Sequence, residues 1–319
     1  MKKQIPVIFA VFSLIIIIAL IINNRKTGNI EPVNNELITK SGVCPPFFLY
    51  DEDGKMINPA TGENADKPYS PRQTCGKCHD YDKITHGFHF QQGKDEQPDS
   101  VMKNRFQWVS HPGNYGGNWC SPAPLYRALA AKENKSAKDI DMTSFDFITA
   151  TCGNCHPGGG SLEFDRNGKR YDKFMLDSTN KLKALGDNNF DGDYFKANWA
   201  NTGVIEADCQ LCHLPEYDYK GRNNQLAKWN FKWAATLGSG LASVDGSIKD
   251  TVPVVVKYDV SKFDKEGKLS IHLVREVRNE TCLNCHAKPD WKKKGTTFSN
   301  RRDVHMNAGL KCVDCHAAG

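Results

Sequence analysis

The sequence predicts short α-helices and irregular loops, with a few small β-hairpins and one N-terminal transmembrane helix, rather than a domain built on a continuous apolar core. Three observations predict this. Cys-x-x-Cys-His occurs five times in 319 residues. Hydrophobic residues make up only 39% of the chain, and part of that share is concentrated at the N-terminus. The helical and strand-like stretches between the motifs are brief and separated by Gly-, Asn- and Asp-rich turns.

The N-terminal element comes first. Met1-Lys2-Lys3 precedes an 18-residue apolar run, Ile5 to Ile22, interrupted only by Pro6 and Ser13. As a helix this run spans roughly 27 Å, close to the thickness of a bilayer core. Secretory signals have shorter apolar regions and end in small residues at a cleavage site. Here the run ends Ala19-Leu20-Ile21-Ile22-Asn23, which favours a retained anchor over a cleaved signal. The organisation expected is therefore an anchor over 1–26, a polar tether over 27–43, and one exported domain over 44–319.

Within the domain, Pro45 to Tyr50 followed by Asp51-Glu52-Asp53-Gly54-Lys55 reads as a strand entering a tight turn. The idiom recurs at Phe164-Asp165-Arg166-Asn167-Gly168-Lys169 and at Phe263-Asp264-Lys265-Glu266-Gly267-Lys268. Apolar residues at helical spacing mark Pro124 to Lys135 and Gln225 to Leu237. Thr251 to Tyr258, rich in Val, reads as a strand.

The five motifs are Cys75-Gly76-Lys77-Cys78-His79, Cys152-Gly153-Asn154-Cys155-His156, Cys209-Gln210-Leu211-Cys212-His213, Cys282-Leu283-Asn284-Cys285-His286 and Cys312-Val313-Asp314-Cys315-His316. Each is the attachment signature of a c-type haem. The two thiols become thioethers on the haem vinyl groups, and the adjacent His reaches the iron from the proximal side. Zinc knuckles and thioredoxin-like sites also use Cys-x-x-Cys, but neither requires His after the second Cys. The fold class expected is thus a multihaem cytochrome c with five haem c. Haems supply the apolar bodies that the lean composition lacks. The fourth and fifth motifs are separated by the shortest interval and are expected to pack most closely.

Five further histidines remain for five irons: His86, His89, His111, His272 and His305. That arithmetic predicts two imidazoles on every iron, which closes the metal to substrates and suits electron transfer. His272 and His305 stand shortly upstream of motifs. His86 and His89 are expected at i,i+3 on one helix, facing nearly the same way. His111 precedes Pro112 in a Gly-rich loop. Two alternatives stay open. Cys120 is either the disulfide partner of Cys44 or a thiolate axial ligand, and one of Met56, Met102, Met142, Met175 and Met306 is a possible axial ligand. Asp187-Asn188-Asn189-Phe190-Asp191-Gly192-Asp193 has the oxygen spacing of the start of a calcium loop, although position 12 is Asn198 rather than Glu. A bound Ca2+ and a solvated Asx-rich turn are both readings of it.

The formal charge is +5. Lys2, Lys3, Arg25 and Lys26 flank the apolar run and account for most of it, so the remainder is nearly neutral. Haem propionates would then make the exported domain acidic, which suits a basic redox partner and gives no reason to expect nucleic acid.

Taken together, the chain resembles the multihaem, including pentahaem, c-type cytochromes of anaerobic respiratory electron-transfer chains. The motifs carry the resemblance, with local pieces such as His156-Pro157-Gly158-Gly159-Gly160 and Gly203-Val204-Ile205-Glu206-Ala207-Asp208-Cys209, over roughly residues 70–319. It implies an electron carrier on the extracytoplasmic side of the cytoplasmic membrane, with a quinol-oxidising complex or another cytochrome as partner. Pentahaem nitrite reductases carry Lys in place of one motif His; every motif here ends in His. Compact quinol-oxidising tetrahaem cytochromes share the single N-terminal helix but not the long intervals. The competing expectation is an oxidoreductase with one open or Cys-ligated haem acting on a small nitrogen or sulfur compound.

Overall fold

The computed structural model describes residues 42–91, 153–159, 163, 170, 206–286 and 303–316. The apolar run, the turn at 164–169, the helix expected over 124–135, and the calcium-type loop at 187–193 lie outside the described residues. No described helix is long and apolar enough to cross a membrane.

Two small hairpins form the scaffold. In the first, β1 (Leu49–Tyr50) pairs antiparallel with β2 (Met56–Ile57). The turn forms because the Asp51 carboxylate accepts from the Asp53 and Lys55 amides at 3.0 and 2.9 Å, while Gly54 takes the left-handed conformation at φ 77°. After a loop, three short helices follow. They are α1 (Pro71–Cys75), α2 (Tyr81–Thr85) and α3 (Phe88–Gln91). Pro71 opens α1 and the Ser70 hydroxyl caps it by accepting from the Gln73 amide. The single helix expected to carry both His86 and His89 is broken: α2 ends at Thr85, His86 is its C-cap, and α3 starts beyond Gly87.

Next come α4 (Gly153–Cys155), α5 (Gln210–His213), α6 (Tyr219–Ala227) and α7 (Phe231–Gly238). The last two correct the expectation of one helix over Gln225 to Leu237. Trp229 adopts φ 63°, and the buried Asn230 side chain replaces helical bonds there. It donates to Gln225 Oε1 at 2.8 Å and the Gly246 carbonyl at 3.1 Å, and accepts from the Ile248 amide at 3.0 Å. The second hairpin pairs β3 (Ala242–Ser247) with β4 (Val252–Tyr258), the strand expected from its Val content. β3 itself, Ala-Ser-Val-Asp-Gly-Ser, carries little β-propensity and is held by its partner.

The turn at Phe263 to Lys268 repeats the first one. Asp264 accepts from the Glu266 and Lys268 amides at 2.9 and 2.8 Å, with Gly267 at φ 87°. Leu269 then bridges to Phe47. Leu49, Ile57, Tyr69, Ala235, Leu241, Phe263 and Leu269 form the main buried apolar cluster, so both hairpins and α7 share one core. The chain continues into α8 (Asn279–His286) and α9 (Val304–Asn307).

Candidate haem-attachment site

The motifs fold alike. In the first, third and fifth, the carbonyl of the first Cys accepts from the amides of the second Cys and the His. The distances are 3.1 and 3.0 Å at Cys75, 3.3 and 3.1 Å at Cys209, and 3.3 and 3.0 Å at Cys312. One helical turn brings the two sulfurs onto one side, as two thioethers to a single macrocycle require. The fourth motif is helical throughout as part of α8. In the second, Gly153–Cys155 form a turn of helix, while Cys152 lies outside the described residues.

The motifs also lie together. The Cys75 and Cys209 thiols lie beside one another, and so do those of Cys282 and Cys312. Cys282 also neighbours Cys212. Cys285 Sγ contacts the Asn154 carbonyl at 3.8 Å, and the same carbonyl accepts from the Tyr219 hydroxyl at 2.8 Å. Contacts therefore run from first motif to third to fourth to fifth, with the second beside the fourth. The close approach of the fourth and fifth expected from their short interval is present.

Burial pushes the Cys212 thiol up to about 11 and that of Cys282 to about 12. Reactive Cys-x-x-Cys redox pairs show the opposite shift, toward a stabilised thiolate. Cys44 is a free thiol, raised by burial and by its neighbour Cys78. Cys120, its expected disulfide partner, lies outside the described residues.

Several imidazoles are oriented for ligation. His213 Nδ1 donates to the Val274 carbonyl at 2.9 Å, which leaves Nε2 as the coordinating atom. His86 Nδ1 does the same to the Asp82 carbonyl at 2.5 Å, and His305 Nδ1 to Asp303 at 2.7 Å. His89 and His286 meet edge to face, with ring centroids 6.5 Å apart and planes at 88°. Two imidazoles on opposite sides of one metal, at about 2 Å per metal–nitrogen bond, place their centroids roughly 6.3 Å apart. Burial lowers the pKa of His89, favouring the neutral form that coordinates. His272 lines a cavity of about 660 Å³ together with Arg275, Arg278 and Lys311. Among the described residues, His86, His272 and His305 are not in ring contact with a motif histidine. His111 lies outside the described residues, as do Met102, Met142 and Met175. Met56 sits in β2 and Met306 in α9.

Two buried polar side chains at the first and third motifs test the fit to a prosthetic group. Tyr69 and Gln210 are each 1% exposed, and neither the Tyr69 hydroxyl nor the Gln210 amide has a hydrogen-bond partner among the described residues. Tyr69 neighbours Asp208, Cys75 and Cys209. Buried polar groups ordinarily find partners, and a macrocycle with carboxylate side chains held by these motifs would offer them. With both cysteines of a motif on one helical turn and His89 in ring contact with His286, the residues present fit haem.

Sequence reasoning missed the polar groups that tie motifs together. Arg222, on α6, pairs with Asp208 at 3.3 Å and donates to the carbonyls of Gly153 at 2.7 Å and His156 at 2.9 Å. The Tyr217 hydroxyl donates to Asp208. Nearby, Glu163 accepts from the Gly159 and Glu206 amides at 2.7 and 2.8 Å. Arg170 lies 3.3, 3.9 and 3.7 Å from Glu52, Glu163 and Glu206. Asp208 and Glu206, placed just before Cys209, were the visible signal. Their partners come from distant segments.

Residues 255–317 match the family model of cytochrome c554 and c-prime, a span that holds the fourth and fifth motifs with His272 and His305. No curated protein and no solved structure matches the chain. The motif geometry and this match over the C-terminal span support a c-type cytochrome, a haem protein of the electron-transfer class.

Proposed function

We propose that the protein carries electrons through five c-type haems in an anaerobic respiratory chain. It would be held by its N-terminal helix with the haem domain on the extracytoplasmic side. The contiguity of the motifs carries this reading: each abuts another, so no attachment site stands isolated. Bound haem supplies reversible one-electron chemistry at iron. The chain supplies the rest. Cys75/Cys78, Cys152/Cys155, Cys209/Cys212, Cys282/Cys285 and Cys312/Cys315 hold the five groups, and His79, His156, His213, His286 and His316 ligate them. His89 would ligate the same group as His286, and His86, His111, His272 and His305 are the candidates for the other four. The partner is a quinol-oxidising membrane complex or another cytochrome.

The pyridine haemochrome assay with peptide mass spectrometry tests the count. Five covalent haems support the reading, whereas four or fewer in fully matured protein oppose it. N-terminal sequencing of the membrane fraction tests the anchor: a start near Met1 supports retention, and a soluble protein starting after about Asn23 opposes it. The competing reading, an oxidoreductase with one open haem, draws on His86, which is exposed and in ring contact with no motif histidine among the described residues. Rapid binding of nitrite, sulfite or CO would favour it.

A further inference from the structure

We infer that the Arg222–Asp208 pair sets a difference in reduction potential between the second and third haem sites. The inference rests on the haem reading above. Both residues are 3% exposed. In so dry a place a charge is felt more strongly than at the surface. The two charges are not placed alike. The Arg222 guanidinium lies on the second motif, donating to the carbonyls of Gly153 and of His156 itself. The Asp208 carboxylate lies on the third motif, next in the chain to Cys209, where its oxygens accept from the Leu211 amide at 3.2 Å and from the Tyr217 hydroxyl.

A cation disfavours the ferric state relative to the ferrous state, and a carboxylate does the reverse. The pair therefore raises the potential at the second site and lowers it at the third, biasing an electron toward the second. Its fork geometry makes it specific. Arg is the side chain whose rigid donors reach two carbonyls and a carboxylate together. Cleanly removing either charge leaves the other buried and uncompensated.

Spectroelectrochemical titration of the full-length, fully haem-loaded protein tests this. Asp208→Asn should shift part of the titration curve upward. Arg222→Gln should shift part of it downward. The double variant should return toward wild type, and Arg222→Lys, which keeps the charge, should stay near wild type. Opposite signs are the signature, because loosened packing alone would not reverse direction between the two singles. Shifts of the same sign, or none, with all five haems attached would overturn the proposal. If Arg222→Gln loses a haem, Asp208→Asn and Arg222→Lys decide it by the same criteria. Pyridine haemochrome counts on every sample keep this outcome separate from the haem reading: a wild-type count below five sinks that reading, whatever the shifts.

Discussion

The hairpin scaffold and the motif region are built on opposite principles. The scaffold buries its own side chains. Leu49, Ile57, Leu241 and Leu269 are 0% exposed, and both aromatic-Asp-Gly turns close on identical side-chain bonds. The motif region buries little by itself. α3, α8 and α9 have no buried residue, and Ile84, Phe88, Val304 and Leu310 stay exposed beside the first and fifth motifs. Much of what is buried there is polar, with Asp208, Gln210, Arg222 and Glu163 beside Ala207, Leu211 and Leu214. One region is stabilised by apolar burial. The other is organised by ion pairs and completed by the flat apolar groups its cysteines hold.

The largest effect expected from this contrast concerns maturation. Protein made without haem attachment should lose amide protection across α1–α5, α8 and α9 while β1–β4 and α7 keep theirs in hydrogen exchange. Uniform loss would show that the scaffold does not stand alone. Next in size, Leu269→Ala should cost about 2–5 kcal/mol in denaturant unfolding, the usual range for a buried leucine, with haem content unchanged. A cost under about 1 kcal/mol would place Leu269 outside the core.

The buried polar network gives a pH signature of intermediate size. Burial raises the Glu206 carboxyl to about 8, with Arg170 opposing. An acid whose folded pKa exceeds its unfolded value binds more protons when folded, so stability falls as pH rises from about 4.5 to 8 and then levels off. Glu206→Gln should flatten that part of the stability–pH curve measured by thermal unfolding. An unchanged slope would show that Glu206 ionises normally. The smallest effect is local. Ser70→Ala removes the cap of α1 and should cost about 1 kcal/mol, leaving the haem spectrum unaltered.

How much of this was legible follows the same division. The Cys-x-x-Cys-His motifs and the turns at Asp51 and Asp264 depend on a few adjacent residues, and the sequence states them directly. The strand ending at Tyr258 was visible in its valines. The break at Trp229 was not, because the Asn230 side chain organises it through Gln225, Gly246 and Ile248. Nor was the separation of His86 from His89, which falls at Gly87. His89 read as a ligand without an address, since its partner His286 lies almost 200 residues further on. Arg222 gave no signal at all; it has no motif, and its meaning lies in carbonyls contributed by another segment.

The central claim is that these motifs hold five six-coordinate haems, one of them between His89 and His286. Low-temperature EPR of the oxidised wild type and of His89→Ala, each with its haem count determined, tests it most directly. The account predicts five haems in both proteins, only low-spin ferric signals in the wild type, and conversion of one low-spin haem in the variant. A high-spin signal in the wild type, or a variant spectrum identical to it, would contradict the account.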